Sequence, residues 1–449
     1  MTSKNKPNID KSSDNQNKLS WWQLSLLGVA CTIGTGYFLG SGLAINIGGP
    51  AALISFAVAA LGTYLVFDAL SQMTSEQPLE GSFRSYAKKA YGGWAGFSSG
   101  WAYWTSELLI MGSQLTALSI FARFWFPNIP MWILASIFAV LGLSIIIAGT
   151  KGFERMENIF AVIKVSAIVI FIVIAALALF GVLGQGKSQP AFPWESFFEK
   201  GIMGLWSSLL FAFYAFGGIE IMGIMAMRLK KPEDAPKSGK VMLGLLAIIY
   251  VCSLILTLIL ISWKELDTSK SPFMQALNQY PLPLVPHIFI AILIIAGFST
   301  MVASLFAITS MLVTLAEDKD APKLFAKQVM NRPFLAIGLT TIGLIVSIVL
   351  SMLLPGSIYE YFTTAAGLML IYNWAFILIT SGKLLKLNTL GKVKRITGIV
   401  IIGVAITGSL FHHTSRPGFF VSVGFLVIIT TITWLLRKKW KKKELSTAS

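Results

Sequence analysis

The sequence predicts an all-α polytopic membrane protein with twelve transmembrane helices. Three observations carry that prediction. First, 55% of the 449 residues are hydrophobic and 12% are charged, whereas an ordinary soluble chain carries about 25% charged residues. Second, the apolar residues come in runs of roughly 20, the length that crosses a hydrocarbon core. Third, the cations alternate. With both termini cytoplasmic, 29 of the 36 Lys and Arg fall on inner segments and 6 on outer loops, the asymmetry that orients membrane chains. The remaining cation, Lys164, lies inside the fifth run.

The same figures exclude a water-soluble globule and a disordered chain. The net charge of +16 is accounted for by topology and does not indicate nucleic acid. Cys31 and Cys252 are the two cysteines, too few for a disulfide framework or a metal knuckle. The three histidines, His287, His412 and His413, lie near outer span ends or the last outer loop, with no carboxylate partner at metal spacing. No phosphate-binding loop is present, and no cofactor is expected.

Taken in order, residues 1–18 are polar and read as a disordered cytoplasmic tail, because no short apolar stretch ends there in a cleavage site. Spans are expected near 21–45, 51–73, 95–121, 131–149, 158–183, 201–227, 241–263, 286–315, 334–354, 358–381, 396–411 and 417–436. The run RKKWKKKE opens a basic cytoplasmic tail, 437–449, that anchors the topology and can touch anionic lipid. Residues 19–183 and 201–381 each hold five spans. Five is odd, so the second unit enters the membrane from the opposite side. The expected architecture is a five-plus-five inverted repeat, with two additional helices over 396–436.

Two features have no place in an ordinary apolar helix. One is charge: an ionised group at a helix centre in the hydrocarbon costs at least ~2.5 kcal/mol. Lys164 lies in NIFAVIKVSAIVIF, Glu220 in FYAFGGIEIMG and Glu107 in WAYWTSELLIMG, which makes these three the candidates for proton coupling or gating. Asp68 and Glu360 fall near span ends, within expected reach of the headgroups. The other feature is glycine. The first span reads GVACTIGTGYFLGSG and the sixth carries Gly217 and Gly218 just past its middle. Each glycine costs roughly 1 kcal/mol against Ala in a helix. Close packing through small residues explains one such cluster. Two, 184 residues apart at the openings of the two repeats, are the pattern of interrupted helices at a transporter's binding site.

A helix broken at the midplane exposes amides on one side and carbonyls on the other, tolerated only where they line a cavity or bind something. The amides around Gly34, Thr35 and Gly36 suit a carboxylate at a positive dipole end. The carbonyls near Thr32, Ile33, Phe216 and Gly217 suit an ammonium. Together with Gly218 they fit a zwitterionic α-amino acid. With no midplane arginine and no aspartate near the breaks, a neutral side chain is favoured, although Glu107 leaves room for a cation. Of the flanking aromatics Trp101, Tyr103, Trp104, Phe213, Tyr214 and Phe216, we take Tyr214 and Phe216 as the rings that close over a ligand.

The stretches IGTGYFLGSG, EGSFRSYAKKAYGGWAGFSSGWAYW, FAFYAFGGIEIMGI and TLAEDKDAPKLFAK together resemble amino acid permeases, the amino acid–polyamine–organocation superfamily in its bacterial amino acid transporter branch. The resemblance runs from about Ser20 to about Lys386. It implies a five-plus-five fold with two extra helices and uptake of an amino acid through the cell membrane by alternating access, usually driven by protons. It also implies substrate-carboxylate binding at Gly34-Thr35-Gly36, a coupling amine at Lys164, where sodium-driven relatives hold their ion, and gating or protonation at Glu220. Three departures stand out. Arg228 occupies the place of a glutamate after span six, Ser310 the place of an arginine in span eight, and Gln114 that of an acid in span three. The expected partners are an amino acid, protons and the lipid bilayer. An exchanger on the same fold is the alternative. A channel would want rings of charge, and an intramembrane enzyme clustered His, Asp or Glu; neither pattern is present.

Overall fold

The computed structural model describes residues 19–79, 81–148, 150–183, 191–226, 229–329, 332–354 and 357–448. The expected tail at 1–18 and Arg228 lie outside the described residues. The elements in chain order are α1 (Trp21–Thr32), α2 (Thr35–Phe38), α3 (Gly40–Gly48), α4 (Ala52–Glu76), α5 (Ser82–Tyr91), α6 (Gly93–Ala122), α7 (Met131–Ala148), α8 (Thr150–Leu179), α9 (Gly201–Tyr214), α10 (Ile219–Met225), α11 (Ala235–Leu260), α12 (Pro272–Leu277), α13 (Val285–Glu317), α14 (Phe334–Leu353), α15 (Ile358–Leu384), α16 (Thr389–Gly408) and α17 (Arg416–Ala448).

Among the described residues, eight helical stretches are long and apolar enough to cross a membrane. No strand longer than an isolated bridge occurs among them. One bridge, Leu19 to Leu229, is closed by the Lys230 amide donating to the Leu19 carbonyl at 2.9 Å. It ties the start of α1 to the chain leaving α10. At the N-terminal end of α1 the Gln23 side-chain oxygen accepts the Ser20 amide at 2.9 Å, so one otherwise unpartnered end group is satisfied.

Several elements depart from their apolar runs. α8 begins eight residues before the expected span, because TKGFERME is polar but composed largely of good helix formers. α17 continues through the expected basic tail to Ala448, since Lys, Glu and Leu sustain a helix beyond its apolar part. α5 occupies what reads in the sequence as an inner loop. It is bracketed by Gly81 (φ +84°) and Gly92 (φ +89°), which reverse the chain at each end.

α6 packs against α13 and α15, and α4 against α11 and α9. Between them lies the main core, which includes Tyr37, Phe56, Phe213, Tyr250 and Trp374. α7, α14 and α17 turn rows of large apolar side chains outward, among them Val140, Ile345 and Ile428. Asp68 and Glu360 do not reach outward as expected. Asp68 is 7% exposed and pairs with Lys394 Nζ at 3.0 Å, while Glu360 accepts from Ser415 at 3.3 Å and from Thr414. His412 Nδ1 lies 3.3 Å from Glu360 Oε1, a carboxylate contact that the loop sequence does not announce. Among the described residues no group of three or more His, Cys, Asp or Glu is placed to hold a metal.

Candidate functional site

The first apolar run is interrupted at its glycines. α1 stops at Thr32, Ile33 is extended, Gly34 is fully extended (φ −160°, ψ −160°), and α2 starts at Thr35. Leu39, between α2 and α3, has helical angles (φ −118°, ψ −42°), so one helical course runs from Thr35 to Gly48. The sixth run is interrupted between Tyr214 and Ile219. Gly218 there has φ +109°, a backbone angle that glycine adopts without steric cost.

The two interruptions lie against each other. A Cβ on Gly36 would sit 3.0 Å from the Tyr214 ring and 3.2 Å from the Tyr214 carbonyl oxygen. A Cβ on Gly218 would sit 3.5 Å from the Cys31 carbonyl oxygen, and one on Gly34 would sit 2.7 Å from Thr300 Cγ2 on α13.

Hydroxyls from other helices bond backbone carbonyls beside both interruptions. Tyr359 on α15 donates to the Thr35 carbonyl at 3.1 Å, and Tyr250 on α11 donates to the Ala215 carbonyl at 3.0 Å. The Gly218 amide donates to Glu220 Oε1 at 3.2 Å. The amides of Thr35 and Gly36, in the first turn after the break, have no carbonyl one turn earlier to donate to.

Between the interruptions is a cavity of about 50 Å³. Of the residues expected there, Thr32, Gly34, Thr35, Gly36, Glu107, Tyr214, Gly217 and Gly218 line it. Ile33, Phe216, Glu220 and Lys164 are not on its wall. Ile33 is 0% exposed and belongs to the main core. Phe216 packs on Tyr250 with ring centroids 5.0 Å apart, so its ring lies in the aromatic core and does not cover the cavity. Glu220 is buried, its Oε1 on the Gly218 amide and its Oε2 accepting Trp374 Nε1 at 3.2 Å. Lys164 is fully buried on α8, which packs against α13, α11 and α1.

Lining residues that the sequence reading did not place here are Ile110 of α6 and, on α13, Thr300, Ala303 and Ser304. The signal of Thr300 and Ser304 is a polar stripe at i, i+4 inside an otherwise apolar span. Gln114, singled out only as a departure from the family pattern, also lines the cavity. The Tyr214 hydroxyl bonds Ser113 on α6.

A second polar cluster sits outside the spans, where α5 meets the chain leaving α13. Arg84 is 1% exposed. Its Nη1 pairs with Asp318 Oδ2 at 2.6 Å and its Nη2 with Asp320 Oδ2 at 2.7 Å. Lys88 Nζ lies 3.3 Å from the same Asp318 oxygen. Burial raises the Asp318 carboxyl, but the hydrogen bonds and charges of Arg84 and Lys88 outweigh it and leave the group below the usual carboxylate range. At Asp320 burial wins over Arg84 and Lys88, and the carboxyl is held above that range.

Two interrupted helices meeting at a small cavity inside a bundle of long apolar helices are the pattern of a membrane transporter. The amino acid permease family model matches residues 23–445, and the chain belongs to that family. It is 54% identical over 437 residues to the transporter YcgH of Bacillus subtilis (strain 168), covering 97% of this chain and 98% of that one. It is 29% identical over 433 residues to the aromatic amino acid transport protein AroP of Escherichia coli (strain K12), covering 93% and 95%. It is 31% identical over 358 residues to AroP of Salmonella typhimurium (strain LT2), covering 79% and 78%.

Proposed function

We propose that this permease is a secondary active importer of an amino acid, with a neutral side chain, and that it works by alternating access and is coupled to protons. The reading places twelve spans in the plasma membrane with both termini cytoplasmic, arranged as two inverted five-helix units plus two. The observation that carries it is the mutual contact of the two interruptions, Gly36 on Tyr214 and Gly218 on Cys31. That contact brings unpaired amides and freed carbonyls to one cavity, as a zwitterion requires.

In this mechanism the substrate carboxylate takes the amides of Gly34–Gly36, where the start of a half-helix presents positive charge. The ammonium takes carbonyls of the Cys31–Thr32 and Tyr214–Gly217 segments. Tyr214 forms part of the wall beside the bound molecule. Lys164, fully buried on α8, acts from behind the cavity as the coupling group by biasing the packing of α8 against α1 and α13. Glu220 acts on the second interruption through its bond to the Gly218 amide. Arg84 with Asp318 and Asp320 closes the cytoplasmic side.

The test is uptake of labelled amino acids by proteoliposomes under an imposed inward-acid pH gradient. Uptake is expected to require the gradient, and Lys164→Ala is expected to lose that requirement while still binding. Wild-type uptake that is indifferent to the gradient, at a rate unchanged in Lys164→Ala, refutes the coupling. Uptake that occurs only from vesicles preloaded with amino acid selects the exchanger.

A further inference from the structure

The cavity contains more hydrogen-bond acceptors than an α-ammonium can satisfy. Glu107 Oε2 and Gln114 Oε1 are both buried without a partner, and both residues line the cavity. Thr35 Oγ1 on the same wall is also buried without a partner, but as a hydroxyl it can donate as well as accept, whereas the nearby Glu220 has a donor on each oxygen. A buried acceptor left unmade is costly, so a site that keeps two of them is built for donors that arrive with the ligand.

The spacing shows where those donors must be. Glu107 and Gln114 are seven residues apart on α6, two helical turns and about 10 Å along the axis. They share one face, and helical side chains lean the same way, toward the N-terminus. A single ammonium, reaching about 3 Å to each acceptor, does not bridge that separation. Its hydrogens are also claimed by the carbonyls freed at the breaks. A second donor must therefore come from the substrate's own side chain.

We infer that Glu107 and Gln114 determine specificity, and that the permease prefers neutral amino acids whose side chain carries an O–H or N–H donor over isosteres that lack one. This inference rests on the amino acid permease reading above. It gives Glu107, which the sequence marks as a candidate for proton coupling or gating, a direct role on substrate. Gln114 has a matching one, two turns along the same helix face.

The test compares shape-matched pairs in proteoliposomes: labelled L-threonine with L-valine, L-asparagine with L-leucine, and L-tyrosine with L-phenylalanine. In the wild type the donor-bearing member of at least one pair is expected to show a half-saturation concentration at least about tenfold lower than its partner. Glu107→Gln keeps an acceptor at that place and is expected to retain the preference. Glu107→Leu and Gln114→Leu are each expected to reduce it to within about twofold. Equal handling within all three pairs by the wild type overturns the inference while leaving the permease intact, and does not depend on any variant folding. A preference undiminished in folded Glu107→Leu and Gln114→Leu also overturns it. Uptake of none of the six overturns the permease reading and this inference with it.

Discussion

Gly34 and Gly218 both sit at helix interruptions, yet a methyl group should harm them for different reasons, and the two effects are separable. The backbone of Gly34 is extended, a conformation open to any residue. Its constraint is space: an added Cβ would stand 2.7 Å from Thr300 Cγ2 and 3.1 Å from Thr300 Oγ1, but 3.4 Å from Thr300 Cβ, which is ordinary contact. Overpacking of that kind costs about 1–3 kcal/mol. Thr300→Ala removes both crowding atoms and keeps the tolerated one. Gly34→Ala alone should therefore lower thermal stability, and Gly34→Ala with Thr300→Ala should recover most of the loss, with a coupling of about 1–2 kcal/mol in a double-mutant cycle. Gly218 has room, its nearest neighbour being 3.5 Å from the built Cβ, but it has φ +109°. Gly218→Ala should cost about 1–3 kcal/mol through backbone strain, and Thr300→Ala should not recover it. The assay is thermal unfolding of the purified protein in detergent, followed by loss of the monodisperse chromatographic peak. A Gly34→Ala variant as stable as the wild type, or one that Thr300→Ala leaves unimproved, refutes the crowding argument.

Three other outcomes follow from the same contacts. In a Cys252→Ser background, a membrane-permeant maleimide should modify Cys31, which lines the cavity, and a transported amino acid should slow that reaction; a Cys31 inert under every condition refutes access to the break. Trp374→Phe removes the donor at 3.2 Å from Glu220 Oε2 and should cost about 1–3 kcal/mol of stability by leaving a buried acceptor unmade; an unchanged melting temperature contradicts it. The Asp318 carboxyl is held below its ordinary value near 3.9, so the stability it contributes is present above that value and lost as pH falls through the lower folded value. The melting-temperature gap between the wild type and Asp318→Asn should stay open from pH 8 to about 5 and close below about 4, and a gap unchanged at low pH excludes an ionic origin.

What the sequence discloses of this architecture follows from which physical signals are local. Apolar runs locate the apolar parts of the long helices, because the length of a crossing is set by the bilayer, but not their polar extensions, such as the start of α8 and the end of α17. The glycine clusters locate the interruptions for a similar reason, since the cost of glycine in a helix is paid within the helix. The direction in which a side chain points is not local. Phe216 stands one residue from Gly217, which lines the cavity, yet its ring packs on Tyr250 of α11. Thr300 and Ser304 form a polar i, i+4 pair in an otherwise apolar span, and the approach of α13 to Gly34 is what makes them cavity wall. α5 was illegible because its ends are set by two left-handed glycines, while its composition reads as a loop.

The groups that satisfy the interruptions are themselves instructive. An isolated broken helix in hydrocarbon is prohibitively unstable, because each unmade backbone bond costs several kcal/mol. Here Tyr250 from α11 meets the Ala215 carbonyl, Glu220 meets the Gly218 amide and is itself held by Trp374 from α15, and Tyr359 from α15 adds a second donor to the Thr35 carbonyl, which also accepts the Leu39 amide. α15 therefore touches both interruptions, the first directly at the Thr35 carbonyl and the second through Glu220. Tyr359 and Glu360 also line a separate cavity of about 550 Å³ that opens beside Arg123 and Lys270. Tyr359 thus stands between that cavity and the first interruption, and its hydroxyl can hold the Thr35 carbonyl only while α15 keeps its place. A shift of α15 away from Thr35 breaks that bond, but the carbonyl keeps the Leu39 amide at 2.9 Å, so the tyrosine ties α15 to the first interruption without being needed to satisfy it.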